Sequence, residues 1–128
     1  MIKKEIKAVQ EFHEAFGLDI RQQPTVALDK KVIELRYKLM QEENEEYLEA
    51  AQAGDLVEVA DALGDMLYIL CGTIISHGFQ EKIEAVFDEI QRSNMSKLDK
   101  DGKPIYREDG KVMKGPGYFK PNIAALLD

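Results

Sequence analysis

The chain has one cysteine, Cys71, and no second thiol to pair with it. That excludes a disulfide framework and every CxxC metal or redox motif. Cys71 lies inside the apolar run MLYILCGTII and reads as a small buried hydrophobe. An HExxH helix is absent, as is a glycine-rich phosphate loop between a strand and a helix. The longest nearly uncharged apolar run, Met66 to Ile75, is too short to span a bilayer. The chain does not open on a basic segment followed by an apolar one, so the expectation is a cytoplasmic protein with no membrane role. Basic side chains are scarce before the tail: residues 1–94 carry 10 against 19 acidic ones, whereas residues 95–128 carry 7 against 5. A body of that sign disfavours a nucleic acid polymer and favours divalent cations, while the tail suits an anion.

With 128 residues the chain is the size of one domain that buries its own core without staples. Ile6, Val9, Phe12, His13 and Phe16 recur at spacings of three and four, predicting a first helix from Ile2 to Phe16 closed by Gly17. His13 falls on or beside the apolar face and reads as a packed histidine. Asp29 caps a second helix running to about Ala53, with Gly54 as its stop, and Asp55 caps a third that ends near His77 before Gly78. A fourth runs from about Gln80 to Asn94 on Ile83, Val86, Phe87 and Ile90. The expected fold is all-α, a four-helix body over residues 1–94 that binds metal, continued by a basic arm or lid over residues 95–128 of the same domain. The arm holds three of the four prolines, and IYREDGKVM predicts a small hairpin around Asp109 and Gly110. DKDG is not an EF-hand loop, because the twelfth position from Asp99 is Gly110, where a bidentate glutamate is required.

In LMQEENEEYLEA five glutamates crowd into about two helical turns. A solvated acidic face is the ordinary account of such a run. The third helix weakens it. Glu58, Asp61 and Asp65 stand at i, i+3 and i+7, one narrow stripe on a helix that is otherwise apolar on most sides and has no Lys or Arg from Asp55 to His77. Carboxylates held near a core cost several kcal/mol each unless paired or bound to metal. The short AGD connection makes the two helices antiparallel neighbours. At ~1.5 Å per residue, Glu46 lies ~12 Å before the turn and Asp61 ~10 Å after it, so the acidic groups face each other. Oxygen ligands of this kind select Mg²⁺, with Mn²⁺ able to substitute.

EENEE followed by EVADALGDMLY resembles the paired ExxE and ExxD motifs of the MazG-like all-α nucleoside triphosphate pyrophosphohydrolases, a superfamily that includes phosphoribosyl-ATP pyrophosphatase. The tail RSNMSKLDKDGKPIYREDGKVMKGPGYFKP looks like the end of a branch related to the latter. By position, Glu43 and Glu46 match ExxE with Glu42 before them, and Glu58 and Asp61 match ExxD. In several relatives the aspartate directly precedes the apolar string, which here is Asp65, with Ala62 where the glutamate would be. Both aspartates are therefore assigned.

The resemblance implies a four-helix-bundle protomer that hydrolyses a nucleoside triphosphate between its α and β phosphates, releasing a monophosphate and pyrophosphate, for instance in nucleotide-pool cleaning. Glu42, Glu43, Glu46, Glu58, Asp61 and Asp65 are the expected metal ligands, and Glu43 or Glu46 the group that orients or deprotonates the attacking water. Asn94, Lys97, Lys111, Lys114 and Tyr118 are the candidate substrate contacts. A homodimer or a dimer of dimers is expected, since the third helix offers more apolar surface than one small bundle covers. Two alternatives stand beside this reading: phosphoribosyl-ATP pyrophosphohydrolase itself, and a catalytically silent helical dimerisation module.

Overall fold

In the computed structural model, which describes residues 1–127, the boundaries of the first three helices fall within a residue or so of those expected. Helix α1 spans Lys3–Phe16 and stops at Gly17 in the left-handed region. Helix α2 spans Lys30–Gln52, opened by Asp29, whose carboxylate accepts from the Lys31 N–H. Helix α3 spans Leu56–Ser76, opened by Asp55, whose carboxylate accepts from the Glu58 N–H. Helix α4 spans Ile83–Met95. A single 3₁₀ turn at Ala124–Leu126 completes the regular structure, and no β-strand occurs among the described residues. The chain is all-α.

Contacts along the chain gather into two compact units, Met1–Glu81 and the segment from Lys82 onward. In the first, α3 packs against both α1 and α2. Its core is Ile6, Val9 and His13 of α1, Ala50 of α2, and Ala62, Cys71, Ile74 and Ile75 of α3. Cys71 is fully buried, and burial pushes its thiol above the ordinary range, assisted by the nearby charge of Glu5. It is the inert core residue its setting implied. His13 is also packed, 2 % exposed with Nδ1 2.8 Å from the Asp19 carbonyl oxygen.

The connection between α1 and α2 is tied to the end of α3. The Arg21 N–H donates to the Ile75 carbonyl, the Thr25 N–H to that of His77, and Gln80 Nε2 to that of Arg21. Gly78 has φ 76°, and a Cβ there would overlap the Gln23 carbonyl oxygen, so both conformation and space demand glycine. Gln80 is held in this junction, and α4 accordingly begins at Ile83 and not at Gln80.

Burial on α3 is concentrated at residues 71–76. Leu56, Val57 and Leu63 are 82 %, 74 % and 51 % exposed, and Leu67, Tyr68 and Leu70 are also open. As a whole helix, α3 is long and apolar enough to cross a membrane. Its packing against α1 and α2 and the aspartates at its middle, which are costly in hydrocarbon, account for it as a core helix.

In the second unit the arm is pinned to α4. Ser93 Oγ donates to the Phe119 carbonyl, the Phe119 N–H donates to Ser96 Oγ, and the Arg92 guanidinium lies 4.3 Å from the centre of the Phe119 ring. Phe119 thus anchors the arm. The expected hairpin is present as paired backbone around Gly110: the Arg107 N–H donates to the Lys111 carbonyl, the Met113 N–H to that of Ile105, and Tyr106 bridges Val112. Asp99 is engaged in its own turn, its carboxylate accepting from the N–H groups of Asp101 and Lys103.

Candidate active site

Two helices joined by a tight turn bring the acidic residues together. Gly54, with φ 69°, lets the chain reverse within the residues between Gln52 and Leu56. The Asp55 N–H donates to the Ala50 carbonyl, so α3 starts hydrogen-bonded to the last turn of α2. From this fixed point the spacings of three and four carry Glu43 and Glu46 along one side of α2, and Asp61 and Asp65 along the facing side of α3. Carboxylate oxygens of Glu43, Glu46 and Asp65 all lie within 4.8 Å of one another. Glu46 also lines an adjoining cleft of about 510 Å³ together with Glu49, Asp55, Glu58 and Asp61.

The electrostatics follow from this crowding. Glu43 is pushed up to about 7, first by desolvation, then by the hydrogen bond and charge of Glu46, then by the charges of Asp65 and Asp61. Asp65 is raised by desolvation, by Asp61 and by Glu46. Carboxyl groups this close resist ionising together without a counter-charge, so near neutral pH Glu43 of the metal-free cluster is only partly ionised. Glu43 Oε2 is buried, and no N–H or hydroxyl donor reaches it. A divalent cation meets all three conditions: oxygen-only donors, excess negative charge and an orphaned buried oxygen. Glu43, Glu46 and Asp65 would hold such an ion through their carboxylate oxygens, the donors that Mg²⁺ takes.

Of the six acidic positions expected at the site, Glu43, Glu46 and Asp65 form the convergent group, and Glu58 and Asp61 line the cleft that shares Glu46 with it. Glu42 is exposed and is not among the converging oxygens. The arm positions belong to the second unit. There the carbonyl of Asn94 accepts from the Lys97 N–H, the backbone N–H of Lys111 donates to the Asp109 carboxylate, and Lys114 Nζ lies 4.8 Å from the Tyr118 ring centre. Two residues of the site region escaped sequence reasoning. Glu49 lines the cleft, and its i+3 spacing from Glu46 was the available signal. Arg36, on the same side of α2 two turns before Glu43, binds α3 through partners that no local pattern announces.

The sequence profile of phosphoribosyl-ATP pyrophosphohydrolase matches residues 9–94. The chain belongs to that family. The match spans α2, α3 and all six acidic positions, ends at Asn94, and leaves Lys97, Lys111, Lys114 and Tyr118 beyond it. A crystal structure of a protein from Exiguobacterium sp. 255-15, described as a candidate NTP pyrophosphohydrolase, is 28 % identical over 95 % of this chain and 92 % of that one, with a TM-score of 0.48. No protein of curated function matches the sequence. Family membership makes the chain a pyrophosphohydrolase in general terms.

Proposed function

We propose that the chain hydrolyses a nucleoside triphosphate at the α–β linkage in a Mg²⁺-dependent reaction, giving a nucleoside monophosphate and pyrophosphate. The convergence of Glu43, Glu46 and Asp65 carries this reading, because a site that must receive a polyphosphate anion is built here from carboxylates. Only intervening cations reconcile the two. Glu43, Glu46 and Asp65 would hold one, and Glu58 and Asp61, with Glu42 at the margin, are the remaining oxygen donors for another. When bound, such ions neutralise the phosphates and lower the pKa of a water ligand.

The protein's own contribution is positional and acid–base. Glu43, with its raised pKa, and Glu46 beside it are the groups that orient a water or take its proton near neutral pH. The cleft between the end of α2 and the start of α3 offers space next to the cluster for the substrate. Asn94, Lys97, Lys111, Lys114 and Tyr118 are proposed as substrate contacts on the basis of charge and hydrogen-bonding chemistry. The exposed apolar side chains of α2 and α3 support a homodimer or a dimer of dimers. A nucleotide substrate and a lone reduced cysteine support a cytoplasmic enzyme.

Phosphoribosyl-ATP is the second substrate reading, favoured by the family description itself; it places the same bond on the same carboxylates. The test is a screen of canonical and modified nucleoside triphosphates, with phosphoribosyl-ATP among them, for pyrophosphate release with and without Mg²⁺. A best substrate identifies the reading. Release from none of them, with no Mg²⁺-linked rise in Tm, would leave a non-catalytic helical dimerisation module.

A further inference from the structure

Arg36 is a half-buried cation that no carboxylate pairs with among the described residues. Its Nε donates to Thr73 Oγ1 at 3.1 Å and its Nη2 to the Ile69 carbonyl at 3.0 Å, so both prongs cross from α2 to α3. Thr73 Oγ1 also donates to the Ile69 carbonyl at 2.9 Å, which orients the hydroxyl to accept from Arg36. Desolvation lowers the guanidinium's pKa from its ordinary value. Room for this arrangement is provided by Gly72: a Cβ there would stand 2.6 Å from Arg36 Nη2 and 2.8 Å from His13 Nε2. A glycine inside a helix costs about 1 kcal/mol relative to alanine, and here it admits a guanidinium to the α2–α3 seam.

The position of this contact connects it to the site. Arg36 is two turns, ~10 Å, before Glu43 on α2, and Ile69 is one turn after Asp65 on α3. In an antiparallel pair the two contacts share one register, and a slip along either axis that breaks the first also separates Glu43 from Asp65. We propose that Arg36 is a positioning residue: its fork onto Ile69 and Thr73 fixes the α2–α3 register that brings the Glu43, Glu46 and Asp65 oxygens together. This rests on the metal-site reading above, toward which the clamp acts.

Arg36→Met, Arg36→Lys, Thr73→Val and Gly72→Ala test it in the full-length protein by two readouts. Mn²⁺ affinity, titrated by electron paramagnetic resonance, should fall about ten-fold or more in Arg36→Met and Gly72→Ala, the scale found when the supports of metal ligands are removed. Arg36→Lys keeps the charge but cannot make the two-pronged contact, so it should match Arg36→Met. Thr73→Val should fall between them and wild type. Crystal structures of wild type and Arg36→Met supply the second readout, with the three carboxylates converging only in the former. Wild-type Mn²⁺ affinity in Arg36→Met, full rescue by lysine, or an unchanged cluster in the Arg36→Met crystal would overturn the clamp. If wild type itself binds no Mn²⁺, the metal reading fails, while the crystal comparison still decides the register claim.

Discussion

Glu43 on α2 and Asp65 on α3 meet with carboxylate oxygens inside a 4.8 Å group, and each is held above the ordinary carboxylate range by burial and by its acidic neighbours. Two groups that would repel each other if both were charged have been set face to face by helix geometry. The arrangement disfavours the ionised, metal-free state and favours a bound cation.

That repulsion has a definite sign in stability. Glu43 moves from an ordinary value of 4.5 to about 7 on folding, so its contribution to stability is fully present below about pH 4.5 and is lost as pH rises through about 7. Asp65 is displaced in the same direction. In chelator, Tm measured by calorimetry should fall by roughly several degrees between pH 5 and pH 8. Glu43→Gln, an uncharged stand-in for the protonated acid, should flatten the decline. A Tm that rises over this interval in wild type contradicts the cluster's electrostatics.

Adding Mg²⁺ or Mn²⁺ at pH 7 should reverse the loss and displace the retained protons. Calorimetric titrations in buffers of different ionisation enthalpy should therefore show net proton release on metal binding. Identical heats in all buffers would mean that the cation binds elsewhere or that the cluster is already fully ionised.

Glu46→Gln and Asp65→Asn should lower kcat by about 100-fold or more, as expected when a water-activating carboxylate or its cation is lost. Circular dichroism should stay helical, and metal-free Tm should hold or rise, because each change removes one like charge. Near wild-type turnover in both variants would take those residues out of the site.

For the arm, Lys111→Ala and Lys114→Ala should each raise KM several-fold without weakening Mn²⁺ binding. Each loss corresponds to about 1 kcal/mol, the net size of a typical hydrogen bond after solvent competition and below that of a buried charged one, as suits an exposed lysine. If the double variant retains the wild-type KM, ordinary solubility is a sufficient account of both lysines.

Light scattering at micromolar concentration should give a dimer or tetramer mass. Leu63→Asp, on the open part of α3, should shift it toward the monomer. A monomeric wild type would require the exposed leucines of α3 to be explained otherwise.

The helices were legible because their ends are written locally: Asp29 and Asp55 cap by their own side chains, and Gly17, Gly54 and Gly78 take the left-handed turns that stop a helix. The facing of α2 and α3 acids followed from two counts along a helix on either side of one short turn. Reading was weaker where tertiary context decides. Gln80 has no sequence mark that it will bind Arg21 and delay α4. The pairing of Asp65 with Glu43 more closely than the motif-matched Glu58 depends on helix phase, which spacing along one helix does not define. Arg36 carried no local mark of a clamp, since its partners at Ile69 and Thr73 lie on a different helix.

The most direct test of the central claim is hydrolysis of the best substrate from the screen in ¹⁸O-enriched water with Mg²⁺, followed by phosphorus NMR of the products. Water oriented by Glu43 or Glu46 onto the α-phosphorus should leave the isotope in the monophosphate and yield unlabelled pyrophosphate. Label in the pyrophosphate, or release of orthophosphate with a diphosphate product, would contradict the proposed reaction at this acidic site.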